Sequence, residues 1–590
     1  MMGTISDKLM RIINTKEDIR QALISKGYDV PTSIPFKEYA KMISDLPCKV
    51  DDFPKLPGDV TRWHFGGLTN EMMAAMDDPR IEDADHKGRF LSFKNFAWSG
   101  MSGVGGYTEN YDSDSWLKVK SRIDVTWTYK SFNARSIKDN IAAQLFYQSS
   151  SSDTGFRVLS CTIKVSGLTD GQEIEYVSNG TQQFVIMRIE NDGIYHLPSF
   201  DFGAKNAYYG FKFLKLQESC NITIEQLPLY PGALVFDGVD DYGTCDNFPI
   251  LTKEKGYTVV VLRQWDQDFL NTTLTGGLLS TRNYSTGEGV AFEKIESSNK
   301  GYWNLGAGGI IDFAKSPFTW QTSKQYNNVG ILKGDKNHGK PLCVGCGLSG
   351  GQQCGRFAIW ELVFLDHDAT EEELTKIKDY FVKTYPWLFP DQAWTVTGKT
   401  NEDEDRATIA NITGNGNDLV LSNFGFAEGS GYNEEGEYAG YLVTDGVDDK
   451  ITSSTFEMGN DWTVIGDWEL INTGKNDNAG IVKFDSIVIY NYNYNYNSVL
   501  INIKNGRNIL IPDQNTVNAI CSDGRIYSKD WKESIYNEET ESTSKNFLTI
   551  GYSGNAYTKI AFKNLAIYPT VLSREDCIKA YNYLQTLKAK

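Results

Sequence analysis

Two copies of one pentapeptide, Asp-Gly-Val-Asp-Asp, hold the densest oxygen ligands in the chain. They place Asp237, Asp240 and Asp241 together, and later Asp445, Asp448 and Asp449. Calcium takes six to eight oxygens, often from short acidic loops. The same residues also make a strand-end turn, in which Asp-Gly supplies the bend. The turn is the expectation, and no metal site is assigned. Cys343 and Cys346 in "CVGC", with Cys354 eight residues on, outline a metal knuckle. A closed zinc site needs four ligands, and no second CxxC follows. The five histidines, 64, 86, 196, 338 and 367, are dispersed and form no HxH or HExxH pattern.

Hydrolysis of a glycan would need two carboxylates flanking the scissile bond. The nearest pair is Glu173 and Glu175, two residues apart in "GQEIEYVS". They fall in a segment set apart below from the rest, so no catalytic residue is assigned. No Walker, Rossmann or G-x-S-x-G pattern is present, and no cofactor is expected.

Binding is the remaining chemistry. "DSIVIYNYNYNYNSVL" alternates Tyr490, Tyr492, Tyr494 and Tyr496 with asparagines. Flat aromatic faces suit sugar C–H groups, and amides suit hydroxyls. Read as one strand, 481–504 would run roughly 80 Å, far beyond the usual length of about ten residues. Phe484 and Val488 share the tyrosines' parity, whereas Ile501 and Ile503 have the other. A turn must interrupt the run, and Asn tolerates the left-handed backbone it needs. The tract is therefore expected to form the tip and flanks of a hairpin, with "STRNYSTGEGVAF" (280–292) at the equivalent place earlier in the chain. The four tyrosines are the candidate ligand residues. A tyrosine row packed on neighbouring strands, or a disordered low-complexity tract, are the competing readings.

These groups need elements to carry them. The chain has 590 residues, too many for one ordinary core, so several domains are expected. Aromatics at 13% and 54 glycines favour strands and turns over helix bundles. Acidic residues outnumber basic ones 76 to 58, a net charge of −18, so nucleic acid and anionic membrane are poor partners. No apolar run reaches 18 residues, so no membrane insertion by a helix is expected. The N-terminus lacks the apolar core and cleavage site of a signal peptide, which suggests synthesis in a reducing cytoplasm. Nine scattered cysteines point away from a disulfide framework.

Residues 1–56 read as a helical anchor and linker. Thr15 with Asp18 resembles a capping box, Gly27 ends one helix, and Pro35 starts a second whose apolar positions are Phe36, Tyr39, Ala40 and Ile43. The remainder repeats itself. "LVFDGVDDYGTC" (234–245) matches "LVTDGVDDKITS" (442–453), and "YTVVVLRQW" (257–265) matches "WTVIGDWEL" (462–470). "FAIWELVFLDHDATEEELTKIKDYF" (357–381) matches "IAFKNLAIYPTVLSREDCIKAYNYL" (560–584). Each of these last two is a strand and a capped helix, with Thr370 and Glu373 or Ser573 and Asp576 at the cap. Their apolar stripes are Leu374, Ile377 and Phe381, and Cys577, Ala580 and Leu584. Cys343 to Cys346 align with Thr549 to Tyr552, an ordinary strand. Upstream, Trp63 answers Trp394 and Asn95-Phe96 answers Asn423-Phe424. Nine residues separate Tyr432 from Leu442, but more than a hundred separate Tyr107 from Leu234. The first copy therefore reads as interrupted. The divisions expected are 57–109 and 231–390 for one sandwich, 110–230 for an inserted immunoglobulin-like sandwich, and 391–590 for a second copy.

The order of a Trp-rich start, a Gly-Asn turn, the "DGVDD" strand and a final strand–helix resembles concanavalin A-like, laminin-G-type jelly rolls. The fold implied is mainly β: two such sandwiches, the inserted immunoglobulin-like one and a small N-terminal helical hairpin. That hairpin, with "NITIEQLPLYPGALVFDGVDDYG" and "TGNGNDLVLSNFGFAEGSGY", is similar to segments of virion proteins of crAss-like phages. The resemblance implies a non-enzymatic bacteriophage fibre or decoration protein, located in the virion. It implies attachment to other virion proteins through the N-terminus, homo-oligomers, and adhesion to host-surface or mucosal glycans. A purely architectural spacer and a polysaccharide-degrading enzyme are the alternatives. No sustained heptads support a coiled-coil stalk.

Overall fold

Strand Arg356–Leu365 and strand Ile560–Tyr568 are the axes of two copies of one arrangement. Both are almost wholly buried, as expected of strands covered on both faces. The computed structural model describes residues 52–589 apart from short internal stretches, the longest being 149–155, 282–290, 323–340, 472–479 and 536–547. The helical hairpin expected within 1–56 lies outside the described residues.

In the first sandwich, Arg356–Leu365 pairs on one side with Thr258–Trp265 and on the other with Val60–His64 and Leu234–Asp237, all antiparallel. In the second, Ile560–Tyr568 pairs in the same way with Thr463–Leu470, Gln392–Thr395 and Leu442–Val443. The likeness extends to a bulge. The register slips between Leu262 and Arg263 in one copy and between Asp467 and Trp468 in the other. The facing sheets run in the same order too. Phe90–Lys94, Tyr242–Cys245, Leu342–Val344 and Gly276–Ser280 are answered by Leu419–Ser422, Lys450–Ser453, Thr549–Ile550 and Gly480–Lys483. Each sandwich closes over its own core. Trp63, Phe236, Trp265 and Ile359 lie at the heart of one, and Trp394, Trp462, Ile550 and Phe562 at the heart of the other.

Within the sequence of the first copy, between Gly103–Val104 and Leu234–Asp237, lies a third sandwich. One five-stranded sheet is ordered Gly193–Leu197, Cys161–Ser166, Asn221–Gln226, Ser131–Ser136, Ile123–Trp127. The other is ordered Gln183–Ile189, Glu173–Asn179, Tyr208–Leu216, Ile141–Gln148, Trp116–Lys118. Trp116, Phe132, Phe211 and Ile222 fill the space between. An insertion is tolerated where its ends meet, and here they hydrogen-bond. Gly105 N–H donates to Ala233 O at 2.8 Å, Leu229 N–H to Gly106 O at 3.0 Å, and Tyr230 N–H to Gly105 O at 2.8 Å.

Four α-helices occur among the described residues: α1 (Asn70–Ala74), α2 (Gln267–Leu270), α3 (Glu371–Thr384) and α4 (Arg574–Gln585). The caps expected for the last two are present. Thr370 and Glu373 form a full capping box, and Ser573 Oγ accepts from Asp576 N–H at 3.1 Å. Both stripes are buried. The helices differ on their outer faces. α3 exposes Lys378 and Asp379, whereas α4 buries Tyr581 and Asn582 at the same turn. α4 has more neighbours. Tyr583 OH donates to Gln264 Oε1 at 3.4 Å, Asn582 Nδ2 to Pro228 O at 3.5 Å, and the Tyr581 ring meets His196 of the insert. One helix thus touches all three sandwiches, and Leu56–Lys590 forms one compact unit.

Candidate functional site

The tyrosine tract is divided by the sheet. Strand Ile487–Tyr492 pairs antiparallel with Ser498–Ile503, placing Tyr490 opposite Leu500 and Tyr492 opposite Ser498. The expected interruption is therefore present, between 492 and 498. Tyr494 and Tyr496 lie outside the described residues. Ile489 pairs with Val482, a fully buried core residue. Strand positions alternate between faces, so positions 490 and 492 belong to the outer face. The equivalence with 280–292 is corrected by register. Gly277 pairs with Glu293 before a bulge, as Gly480 pairs with Tyr490 before a bulge. Position 490 thus answers Glu293, and the tract's loop answers the connection after Ala291–Lys294, one strand later than the sequence suggested. Low-complexity sequence gave no feature with which to fix that register.

The acidic pentapeptides form matching turns. Asp237 Oδ1 accepts from Val239 N–H and Asp445 Oδ1 from Val447 N–H, both at 2.7 Å. Asp241 Oδ2 accepts from Asp237 N–H at 3.0 Å, and Asp449 Oδ2 from Asp445 N–H at 2.7 Å. The glycines sit at φ +78° and +75°, where a side chain would be strained. Asn95 and Asn423 each brace their turn by donating to the carbonyl of Asp240 or Asp448 at 3.0 Å. Three carboxylate oxygens lie within 4.8 Å of one another in each turn, so a cation could be held. Much of that oxygen capacity already accepts backbone N–H groups. Burial, with Asp237 close by, pushes Asp241 up to about 7; burial pushes Asp449 up to about 6.

A polar cluster lies beneath α3 that sequence reasoning did not identify. Glu361, fully buried, accepts from Tyr385 OH at 3.0 Å, and its Oε1 lies 2.6 Å from His64 Nδ1. Arg62 Nη1 stands 3.5 Å from Glu361 Oε2 and donates to Tyr380 OH at 3.2 Å. Burial and the Glu361 carboxylate raise both tyrosines above their usual range. The second sandwich has Ala393, Thr395 and Asn564 at the positions of Arg62, His64 and Glu361. Only the pairing of strands far apart in sequence, His64 and Glu361 being 297 residues apart, brings the cluster together. It joins α3 to the sheet through a buried ion pair and the hydrogen bond from Arg62 to Tyr380.

The other candidates are committed elsewhere. Glu175 is clasped by Lys212 at 2.7 Å and Arg188 at 3.4 Å, and Arg188 also reaches Glu173 at 3.6 Å. Cys346 and Cys354 are disulfide-bonded across a tight hairpin, their Cα atoms 4.1 Å apart. One such bond is not a framework: eight residues of sequence fold back to bring two thiols face to face. Cys161, Cys220, Cys245, Cys343, Cys521 and Cys577 are buried and lie outside this disulfide. A shallow cleft of about 260 Å³ is lined by Asp59, Pro249, Leu251, Lys255, Gly256 and Asp366.

No protein family matches the chain by sequence, and no curated protein does. Among solved structures, the botulinum neurotoxin type G receptor-binding domain is 14% identical over 32% of this chain and 50% of that one, with a TM-score of 0.21. The chain thus spans half the length of that domain. The botulinum neurotoxin serotype D binding domain is 10% identical over 59% of this chain and 89% of that one, at a TM-score of 0.23. A Trypanosoma rangeli sialidase is 8% identical over 84% and 92%, at 0.22. Likeness at this level carries no reading of function.

Proposed function

We propose that the chain is a non-enzymatic adhesion protein that presents β-sandwiches to glycans. The observation that carries it is the antiparallel pairing of Ile487–Tyr492 with Ser498–Ile503, which sets positions 490 and 492 on a hairpin strand. Loops at the ends of such hairpins commonly bear binding groups. The carboxylates best placed for chemistry, Glu175, Glu361 and Asp241, are bound to bases, tyrosines or backbone N–H groups, which favours binding over hydrolysis. The bacteriophage virion setting, N-terminal attachment to head or tail proteins and homo-oligomers rest on the sequence resemblance. Retention on a glycan array, lost when Tyr490, Tyr492, Tyr494 and Tyr496 become serine, tests adhesion. Unchanged retention removes the tract from it. Release of reducing ends from polysaccharide would instead make the protein an enzyme, and mass spectrometry of purified particles tests the virion assignment.

A second reading is a rigid spacer without ligand. It is favoured by α4, which fastens three sandwiches together and would resist bending between them.

A further inference from the structure

The two copies differ most informatively at one hairpin. In the first, strands Cys346–Leu348 and Gln352–Cys354 pair Cys346 with Cys354, and the disulfide closes them. Both cysteines are buried, at 0% and 6% exposed, and Tyr242 packs against them. In the second, strands Tyr552–Ser553 and Ala556–Tyr557 occupy the same place and pair Tyr552 with Tyr557. These rings lie 4.8 Å apart at 40°, and both are half-buried. Tyr242 is answered by Lys450, one residue after each pentapeptide, whose Nζ lies 6.0 Å from the Tyr552 ring centroid. A sealed clasp in one copy is therefore a surface-reaching aromatic pair with an ammonium in the other.

In the first copy, the strand equivalent to Ile487–Tyr492 adjoins the disulfide hairpin. Position 490 is the register equivalent of Glu293, whose Oε2 lies 3.4 Å from where a Cβ on Gly347 would stand, next to Cys346.

Two adjacent rings suit the apolar face of a pyranose, and an ammonium beside them suits a carboxylate. We propose that Tyr552, Tyr557 and Lys450 form a binding surface for acidic glycans, the rings stacking on a uronic-acid unit and Lys450 meeting its carboxylate. The inference rests on the adhesion reading and gives it a sugar class and a site. The first copy's hairpin, closed by its disulfide, takes no part.

The test uses the full chain with hyaluronan and polygalacturonate as acidic probes and dextran as a neutral one. Tyr552→Ala with Tyr557→Ala lowers affinity for the acidic polymers roughly tenfold or more. Tyr552→Phe with Tyr557→Phe keeps the rings and keeps binding. Lys450→Gln lowers acidic binding alone. Should the alanine pair fail to fold, the phenylalanine pair and Lys450→Gln decide. Equal retention of dextran and the acidic polymers, or loss in the phenylalanine pair, overturns the proposal. So does unchanged binding by the alanine pair when the serine variant of the tyrosine tract has lost it, an outcome that leaves adhesion intact. A wild-type chain that binds no glycan overturns both.

Discussion

His196 and Tyr581 meet edge to face, ring centroids 6.0 Å apart at 81°, where the inserted sandwich rests on the second copy. Thr162 Oγ1 lies 3.3 Å from the imidazole Nδ1. Burial, aided by Lys563, drives the imidazole down to about 3. The ring is therefore neutral in the folded protein at every ordinary pH.

The pH dependence follows from that. Below about 6.5 the unfolded chain takes up a proton that the fold refuses, so stability falls as pH drops from 6.5 toward 3 and is unaffected above. At pH 4.5 the loss from this group is about 2–3 kcal/mol. His196→Phe keeps the ring contact and is expected to flatten the acid limb of a denaturation series between pH 7 and 4.5. An unchanged limb would place the acid sensitivity elsewhere.

Helix α4 is expected to behave as the joint of the molecule. Tyr581→Ala removes a buried ring at the insert junction and costs about 3–5 kcal/mol. Limited proteolysis should then cut within 227–233, where the insert returns to the first sandwich, while wild type resists. The same change at the corresponding position of α3, Lys378→Ala, alters an exposed side chain and should leave the digest as it was.

Asp241 has the opposite sign to His196. Its folded value of about 7 lies above the ordinary carboxylate value, so the fold holds a proton that the unfolded chain has lost. Stability thus falls as pH rises from about 4 through 7. Asp241→Asn retains an acceptor for Asp237 N–H and a group to meet Ser102 Oγ, which donates to Asp241 Oδ1 at 2.9 Å. It is expected to raise stability by about 1–3 kcal/mol at pH 8 and by almost nothing at pH 4. A calcium-dependent rise in melting temperature of the wild type, abolished in this variant, would mark the turn as a cation site instead.

Thr370→Ala removes one half of a capping box. Thr370 N–H donates to Glu373 Oε2 at 2.7 Å and Glu373 N–H to Thr370 Oγ1 at 3.3 Å. The expected loss is about 1 kcal/mol in urea denaturation.

The sequence alone determined what is local or repeated. Period-two apolar runs, glycine turns and capping residues mark strands and helices because their physics acts within a few residues. Duplication is legible because both copies must solve the same packing problem, down to the Asn95 and Asn423 braces. Even the buried outer face of α4 is written as Tyr581 and Asn582 where α3 has Lys378 and Asp379. The tertiary structure decided what depends on strand register. It set Cys346 against Cys354 and Tyr552 against Tyr557, brought Arg62 and His64 to Glu361, and moved the tyrosine hairpin one strand along. A shift of one residue reverses every side chain of a strand, and sequence spacing carries no record of which partner, hundreds of residues away, fixes that register.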